Sequence, residues 1–259
     1  MKIISILNQK GGVAKTTSTQ NIAAGLHSLG KKVLAIDFDP QGNLTSGFGL
    51  DKRNLDYTVY DLLKAKSFGT SKLNFGDIVV ETSFADILPT NIKMSKVNLE
   101  LGGVPGKESL LKEILKDVYG YDYVLIDCPP SLDTLTFNAL MASHEVYIPV
   151  QTEFYALEGI VELMDTIDIV THRMNDGLRI GGIFATMVDS RSKLHVEVIG
   201  QLKKFFGENM FKTLIRRNIK VAEASSHGTS IFDYAPRSNG AKDYKSLCVE
   251  IINREENCE

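Results

Sequence analysis

Short apolar runs alternate along the chain with segments in which apolar residues recur at the spacing of a helix. The runs predicted as strands are Lys2–Leu7, Val33–Asp37, Ala85–Leu88, Tyr123–Asp127, Val146–Val150 and Ile180–Val188. The segments predicted as helices are Thr16–Leu29, Tyr57–Lys64, Lys107–Tyr119, Leu132–Ala142, Leu157–Arg173, Val196–Phe206 and Ala241–Asn253. Strands that alternate with helix-length segments predict an α/β fold, a mostly parallel twisted sheet with helices on both faces.

The 259 residues contain no linker, low-complexity tract or repeat, so the pattern favours one domain over residues 1–259. Phe68–Asn74 is predicted to be a surface loop, and after Phe211 the pattern indicates only a short element at Leu214–Ile215 before the last helix. Because the chain starts directly on its first strand, we expect no N-terminal helix-turn-helix extension. The longest apolar runs fall well below the roughly 18 residues of a membrane helix. Three widely spaced cysteines favour a reducing cytoplasm.

The formal net charge of −3 hides a basic segment. Residues 191–220 carry eight Lys and Arg against two Glu, a local charge of +6, which leaves −9 on the rest of the chain. Clustered cations can contact the phosphates of a polyanion such as nucleic acid. The alternative is a solvated surface on which these charges are scattered.

The segment Asn8–Thr17 has the residues of a phosphate-binding loop between a predicted strand and a predicted helix. Gly11 and Gly12 allow the backbone to curl around an anion, and the start of the helix points its positive dipole end at the same place. Lys15 is then positioned to reach the β- and γ-phosphates, and the Thr16 hydroxyl to bind Mg²⁺ directly. The segment predicts a binding site for a nucleoside triphosphate.

Acidic residues end two of the predicted strands. Asp37 and Asp39 follow the second strand, and Asp127 ends the apolar run that precedes Cys128. Carboxylates at the carboxyl ends of parallel strands face the ligand crevice, and Asp127 is the candidate to bind Mg²⁺ through a water. The five histidines show no metal-ligand spacing, and Cys128 is interpreted as a small buried neighbour.

The pattern Lys10-Gly11-Gly12-Val13-x-Lys15-Thr16-Thr17 resembles the signature of the ParA/Soj/MinD group of P-loop ATPases, and Pro149–Gly159, Thr186–Arg191 and Ile215–Ala224 resemble its Soj branch. The resemblance implies a weak, partner- and DNA-stimulated ATP hydrolase that binds ATP or ADP with Mg²⁺. It implies a homodimer in which Lys10 crosses to the nucleotide of the second subunit. It also implies that Asp39 orients the attacking water, so the catalytic set is Lys10, Lys15, Asp39 and Asp127. The implied ATP-binding residues are Lys10, Gly11, Gly12, Val13, Ala14, Lys15, Thr16, Thr17, Arg216 and Asn218.

The resemblance also implies how the base and DNA are bound. Arg216 stands where the family usually has proline, and it would contribute through its backbone, while the Asn218 amide reads the adenine edge. Non-specific double-stranded DNA would be bound by Arg191, Arg217 and Lys220. Lys193, Lys203 and Lys204 could extend that surface. The expected partner is a ParB-type centromere-binding protein, and the expected location is the cytoplasm, on the nucleoid.

Several alternatives stay open. Ala14 stands where the family usually has glycine, and a positive φ there would slow binding or hydrolysis, which favours a nucleotide-binding switch with little hydrolysis. A MinD-like membrane-associated positioning ATPase is a second alternative, although residues 249–259 carry a charge of −3, so that we expect no stable membrane binding. An iron–sulfur reductase is disfavoured by the three cysteines. A metabolic ligase would need a substrate pocket, and the sequence contains no pattern that indicates one or excludes one.

Overall fold

The computed structural model describes residues 1–69, 72–153 and 158–256, and the strands within them form one sheet. The strands are β1 (Lys2–Ile6), β2 (Val33–Asp37), β3 (Val80–Glu81), β4 (Asp86–Leu88), β5 (Tyr123–Asp127), β6 (Glu145–Gln151) and β7 (Arg179–Thr186). Their order is β3-β4-β2-β5-β1-β6-β7, and all neighbours run parallel except β3 and β4. This confirms the predicted mostly parallel sheet.

Helices of very different lengths lie between these strands and after the last one. They are α1 (Lys15–Ser28), α2 (Asn43–Gly47), α3 (Val59–Phe68), α4 (Val97–Glu100), α5 (Leu110–Leu115), α6 (Thr134–Ala142), α7 (Glu158–Arg173), α8 (Lys193–Phe206), α9 (Ile219–Ser226), α10 (Ile231–Tyr234) and α11 (Asn239–Glu256). Among the described residues, no helix combines the length and the apolar character needed to span a bilayer.

Alternate side chains of a strand enter two separate apolar cores, one on each face of the sheet. On β1, Ile3 belongs to one core, whereas Ile4 and Ile6 belong to the other. The first core takes buried residues from α3, α5, α6, α7 and α8, and the second from α1, α2, α9, α10 and α11. The prediction of helices on both faces is therefore confirmed.

The bounds of the six predicted strands agree with the structure to within two residues, whereas the two-residue strand β3 was not predicted. Strands β2 and β5 have the predicted bounds. The largest difference is at β7, which ends at Thr186 instead of Val188. Met187 has a φ of 52°, in the left-handed region that an extended strand cannot contain. Val188, the residue after Met187, forms an isolated parallel bridge with Arg216.

Helix boundaries differ more, because local caps override apolar periodicity. Helix α3 begins at Val59 and not at Tyr57, since Thr58 and Asp61 form a capping box, and it ends before Gly69, which has a φ of 61°. Phe68 therefore ends a helix instead of starting the predicted loop. The predicted helix from Lys107 to Tyr119 is wrong in length, since only Leu110–Leu115 is α-helical. Residues 70–71 of the predicted loop, and the predicted helix start at Leu157, lie outside the described residues.

The region after Phe211 runs parallel to β7 and then forms three helices. Phe211 N donates to Ile183 O at 2.8 Å, and Ile215 N donates to Ala185 O at 2.9 Å. The element at Leu214–Ile215 therefore lies beside β7 without joining it as a full strand. Helices α9 and α10 span 8 and 4 residues, too few for apolar periodicity to reveal them.

Candidate functional site

Three neighbouring strands in the middle of the sheet end at one place. In the strand register, Ile6 of β1 and Asp37 of β2 both lie opposite Asp127 of β5. The loop that leaves β1 and the two acidic residues therefore lie together at the carboxyl edge of the sheet. This edge is where open α/β sheets bind their ligands.

Side-chain contacts hold the loop of residues 8–14 in a curled shape. Asn8 Nδ2 donates to Pro149 O at 2.8 Å, and Asn8 Oδ1 accepts from Lys10 N at 2.9 Å. Gly12 has a φ of 77°, and a Cβ built on Gly11 or Gly12 would meet no atom within 4 Å. The loop thus leaves room for an anion directly against its backbone, as its glycines predict.

Ala14 adopts the strained one of the two conformations that the sequence leaves open. Its φ is 70°, and its carbonyl accepts the first hydrogen bond of α1, from Ser18 N at 2.9 Å. A Cβ in the left-handed region costs about 1–2 kcal/mol, which glycine avoids. The turn into α1 is therefore under strain at the point where it would contact phosphate.

Lys15 is buried at the first position of α1. Its Nζ donates to the carbonyl oxygen of Lys10 at 3.1 Å, so the ammonium group points back into the loop. Burial lowers the pKa of Lys15, and the nearby carboxylates of Asp127 and Asp39 act in the opposite direction. A cation held in this way is well placed to balance the charge of a bound phosphate.

Asp37 is completely buried and anchors the segment that follows it. Its Oδ2 accepts from the backbone N and from Oγ1 of Thr45, each at 2.7 Å. Burial raises the pKa of Asp37 to about 7, although the hydrogen bonds from Thr45 oppose the shift. This carboxylate therefore holds the start of α2 against the end of β2.

Asp127 is also completely buried, and only one of its oxygens is well bonded. Oδ1 accepts from Thr19 Oγ1 at 3.3 Å, and the side chain also accepts from Thr16. Oδ2 is buried without a hydrogen-bond partner among the described residues. Burial raises the pKa of Asp127 well above its usual value, and the charge of Asp37 adds to the shift. A hydroxyl and a carboxylate oxygen are hard donors of the kind that Mg²⁺ prefers, so Thr16 and Asp127 fit this ion.

The two remaining predicted catalytic residues differ in their positions. Asp39 is half-buried beside Asp37, where its Oδ1 accepts from Gln41 N at 2.9 Å. Lys10 is turned away from the loop, and its Nζ forms an ion pair with Glu153 Oε2 at 2.8 Å. Asp39 thus joins the cluster of Lys15, Thr16 and Asp127, and Lys10 does not.

A cavity of about 550 Å³ opens beside the loop, where the base is expected. Its lining joins Ala14 and Thr17 to Met187 and to the segment that precedes α9. Arg216 and Asn218 line it as predicted, but the backbone N and guanidinium of Arg216 and the Oδ1 of Asn218 are already engaged. The backbone N of Arg216 donates to Asp243 Oδ2 at 3.0 Å, its guanidinium pairs with the same carboxylate, and Asn218 Oδ1 caps α9 by accepting from Lys220 N at 2.9 Å.

The predicted DNA-contacting residues come from two segments that the chain brings together beside this cavity. Arg217 N donates to Val188 O at 3.1 Å, which places Arg217 and Lys220 next to the loop that carries Arg191. All three side chains are exposed. Arg191 is paired with Asp189 and Lys220 with Glu223, whereas Arg217 has no ion pair among the described residues.

Several contacts of the site were missed from the sequence. The pairing of Lys10 with Glu153, of Arg216 with Asp243 and of Asp37 with Thr45 has no local signal, except that Thr45 closely follows Asp37. The positive φ of Met187 also has no sequence signal, since methionine rarely adopts it.

The chain is similar to known proteins over most or all of its length. A family model described as an AAA domain matches residues 1–180. The chain is 46% identical over 255 residues to the chromosome-partitioning ATPase Soj of Treponema pallidum, covering 98% of each chain. It is 45% identical over 253 residues to the sporulation initiation inhibitor protein Soj of Bacillus subtilis, covering 96% of this chain and 98% of that one.

Among solved structures, cobyrinic acid a,c-diamide synthase from Mycobacterium smegmatis with bound ADP and magnesium has a TM-score of 0.87. It is 30% identical and covers 100% of this chain and 96% of its own. The fold is therefore that of P-loop nucleotide hydrolases. The two Soj proteins, at 45% and 46% identity over almost the whole length, are more similar in sequence than this synthase at 30%. The chain belongs to the Soj/ParA family of chromosome-partitioning ATPases.

Proposed function

We propose that the chain is an ATP-dependent dimeric switch that binds DNA non-specifically and segregates chromosome or plasmid DNA together with a ParB-type partner. The observation that carries the proposal is the shared lining of the cavity beside the phosphate loop. Ala14 of the loop and Thr17 of α1 line it together with Arg217 of the basic surface. A nucleotide in this cavity would contact both parts, so its presence can be sensed at the surface that meets DNA.

Nucleotide binding is assigned to the loop and the cavity. Backbone amides of residues 11–16 and the Lys15 ammonium would bind the phosphates, and the apolar cavity would take the adenine near Asn218. Thr16 directly and Asp127 through a water would hold Mg²⁺, which would help to neutralise the charge of the phosphates.

Hydrolysis is assigned to Asp39 and to the Lys10 of a second subunit. Asp39 lies beside the buried cluster and remains partly accessible, so it can orient a water towards the γ-phosphate. Lys10 has to leave Glu153 to cross to the second subunit, where its charge would stabilise the transferred phosphoryl group. The two subunits would then separate after hydrolysis.

DNA binding is assigned to Arg191, Arg217 and Lys220. Each subunit presents a modest patch, in which two of the three cations are paired with acidic residues. Joining two subunits doubles the number of phosphate contacts and turns a weak attraction into useful affinity. Non-specific DNA is the expected ligand because phosphate contacts carry no sequence information. Association of the protein with the nucleoid would follow.

The experiment is DNA retention by the purified protein with ATP, with ADP and without nucleotide, each at two salt concentrations. We expect retention with ATP only, decreasing steeply with salt, and a loss of about tenfold in Arg217→Ala. Lys212→Ala is the matched control, since Lys212 is an exposed cation of the same basic segment that lies beside Glu250, away from the cavity. Absence of retention in every nucleotide state would contradict the proposal.

A second candidate, a nucleotide-binding switch with little hydrolysis, is favoured by the φ of 70° at Ala14. It predicts stable ATP-bound dimers with very slow phosphate release even when DNA is added. If the strain at Ala14 increases by about 1 kcal/mol in the transition state, where the loop closes on the phosphates, Ala14→Gly would raise phosphate release by roughly fivefold. Equal release from the wild type and from Ala14→Gly would leave the hydrolysing switch as the better description.

A further inference from the structure

Three separate segments meet at the buried amide of Gln20. Gln20 lies on α1 and is 1% exposed. Its Nε2 donates to Gly47 O at 2.6 Å and to Thr229 O at 2.8 Å, and its Oε1 accepts from Ser225 Oγ at 2.6 Å. One side chain of the phosphate-loop helix therefore binds the end of α2 and both the end of α9 and the turn after it.

The α2 side of this contact leads to the γ-phosphate end of the site. Asp39 precedes α2 by four residues, and Thr45 within α2 donates twice to Asp37. Asp37 fixes Thr45 to the end of β2, and Gly42 N, at the start of α2, donates to Asp39 O at 2.9 Å. A shift of Asp39 would therefore turn α2 about Thr45 and displace Gly47. Gln20 then receives this movement at Gly47.

The α9 side leads to the surface assigned to DNA. Asn218 caps α9, and Lys220 lies in its first turn. No side chain separates the two sides, since a Cβ built on Gly228 would lie 2.5 Å from Gly49 Cα. This close approach lets one buried side chain, Gln20, bond both segments.

We propose that Gln20 is a positioning residue that transmits the state of the γ-phosphate from α2 to α9, and thereby sets the orientation of Lys220 and its neighbours. The proposal rests on the function proposed above for the DNA surface. It concerns a residue that touches neither nucleotide nor DNA. The amide is suited to this role because both of its donor hydrogens and its acceptor are used, each on a different backbone or side-chain partner.

The test compares hydrogen exchange of the full-length protein with ATP and with ADP, both saturating. In the wild type, we expect ATP to slow exchange more than ADP does in residues 43–49 and 225–231. In Gln20→Leu, the difference should persist in residues 43–49 and fall about tenfold in residues 225–231, because the donors to Gly47 and Thr229 are lost. Ser225→Ala is a milder variant that removes only the contact from α9, and Gln201→Leu is the matched control on the exposed face of α8.

A purely structural role for Gln20 predicts a different result. It lowers the melting temperature of Gln20→Leu but leaves the ATP-minus-ADP difference in residues 225–231 intact, and that outcome would overturn the proposal. So would the absence of any such difference in the wild type. DNA retention is measured on the same samples. Wild-type protein that shows the exchange difference but retains no DNA would contradict the proposed function and leave the coupling in place.

Discussion

Both edges of the central sheet bury carboxylates, but among the described residues only those at the amino edge form ion pairs. At that edge, Glu145 lies between Lys2 and Arg179 at N–O distances of 2.7 and 2.8 Å. Burial acts to raise the pKa of Glu145, and the hydrogen bonds from the two cations outweigh it, so that the net shift is downward. At the carboxyl edge, burial raises the pKa of Asp37 and of Asp127, and Lys15 is the buried cation beside them.

This difference in ion pairing distinguishes an edge that stabilises the fold from an edge that binds a ligand. A buried charge without a counter-charge lowers the free energy of unfolding. Replacing such a charged residue by a neutral one therefore stabilises the fold. Asp37 and Asp127 lie on neighbouring strands at directly opposed positions, which makes their repulsion a property of the register itself. Such an arrangement is expected where a bound ligand supplies the missing positive charge.

The largest effect is expected for removal of Lys15, the buried cation at the carboxyl edge. Lys15→Ala should reduce the affinity for ATP by at least about a hundredfold, because the phosphates lose a desolvated counter-charge. The measurement is binding of a fluorescent ATP analogue in the presence of Mg²⁺. Lys2→Ala, which removes a cation from the amino edge, should bind the analogue like the wild type. Binding by Lys15→Ala within a few-fold of the wild type would contradict this account of the edge.

The two edges should also respond to pH in opposite directions. Asp37 has a pKa of about 7 in the folded protein, above its value in the unfolded chain, so its contribution to stability is complete below about pH 4. That contribution is lost as the pH rises to about 7, by roughly 2 kcal/mol or more without ligand. Glu145 has a lowered pKa, so its contribution is present above the unfolded pKa and is lost only as the pH falls through the folded one.

Urea unfolding between pH 5 and 8, in EDTA and without nucleotide, separates these contributions. The free energy of unfolding of Asp37→Asn should vary less with pH in this window than that of the wild type. Glu145→Gln should follow the wild-type pH dependence there, because Glu145 is ionised throughout. Parallel curves for the wild type and Asp37→Asn would show that Asp37 does not titrate in this range.

Neutralising one carboxylate at each edge should change stability with opposite signs. At pH 8 without Mg²⁺, Asp127→Asn should raise the free energy of unfolding by about 1 kcal/mol, because the buried carboxyl has to be either ionised beside Asp37 or protonated against its normal pKa, and an amide avoids both costs. Glu145→Gln should lower it by about 1 kcal/mol, since Lys2 and Arg179 lose their shared partner. Thermal melts of the two variants and the wild type measure both effects. Destabilisation of both variants to a similar extent would remove the distinction between the edges.

The comparison also shows which features can be predicted from one sequence. The six predicted strands, the phosphate loop and Asp127 are local patterns. The bounds of these strands agree with the structure to within two residues, and β3 gave no pattern long enough to detect. The pairing of Lys10 with Glu153 joins residues 143 positions apart, and the contact of Gln20 with Thr229 joins residues 209 apart. Such contacts depend on how the elements pack, so no spacing in the sequence indicates them. The φ of Ala14 is similar, because alanine by itself favours the opposite sign.

The smallest effect is expected at the rim of the carboxyl edge, where Lys10 is paired with Glu153. Both side chains are partly exposed, at 39% and 49%, so their ion pair is worth less than about 1 kcal/mol. Glu153→Gln should therefore release Lys10 and strengthen ATP-dependent dimerisation by up to about fivefold, an effect that salt should reduce. Sedimentation equilibrium with ATP measures it, and Glu162→Gln on the exposed side of α7 is the matched control. Weaker dimerisation of Glu153→Gln would mean that Glu153 supports the closed dimer instead of restraining Lys10 within its own subunit.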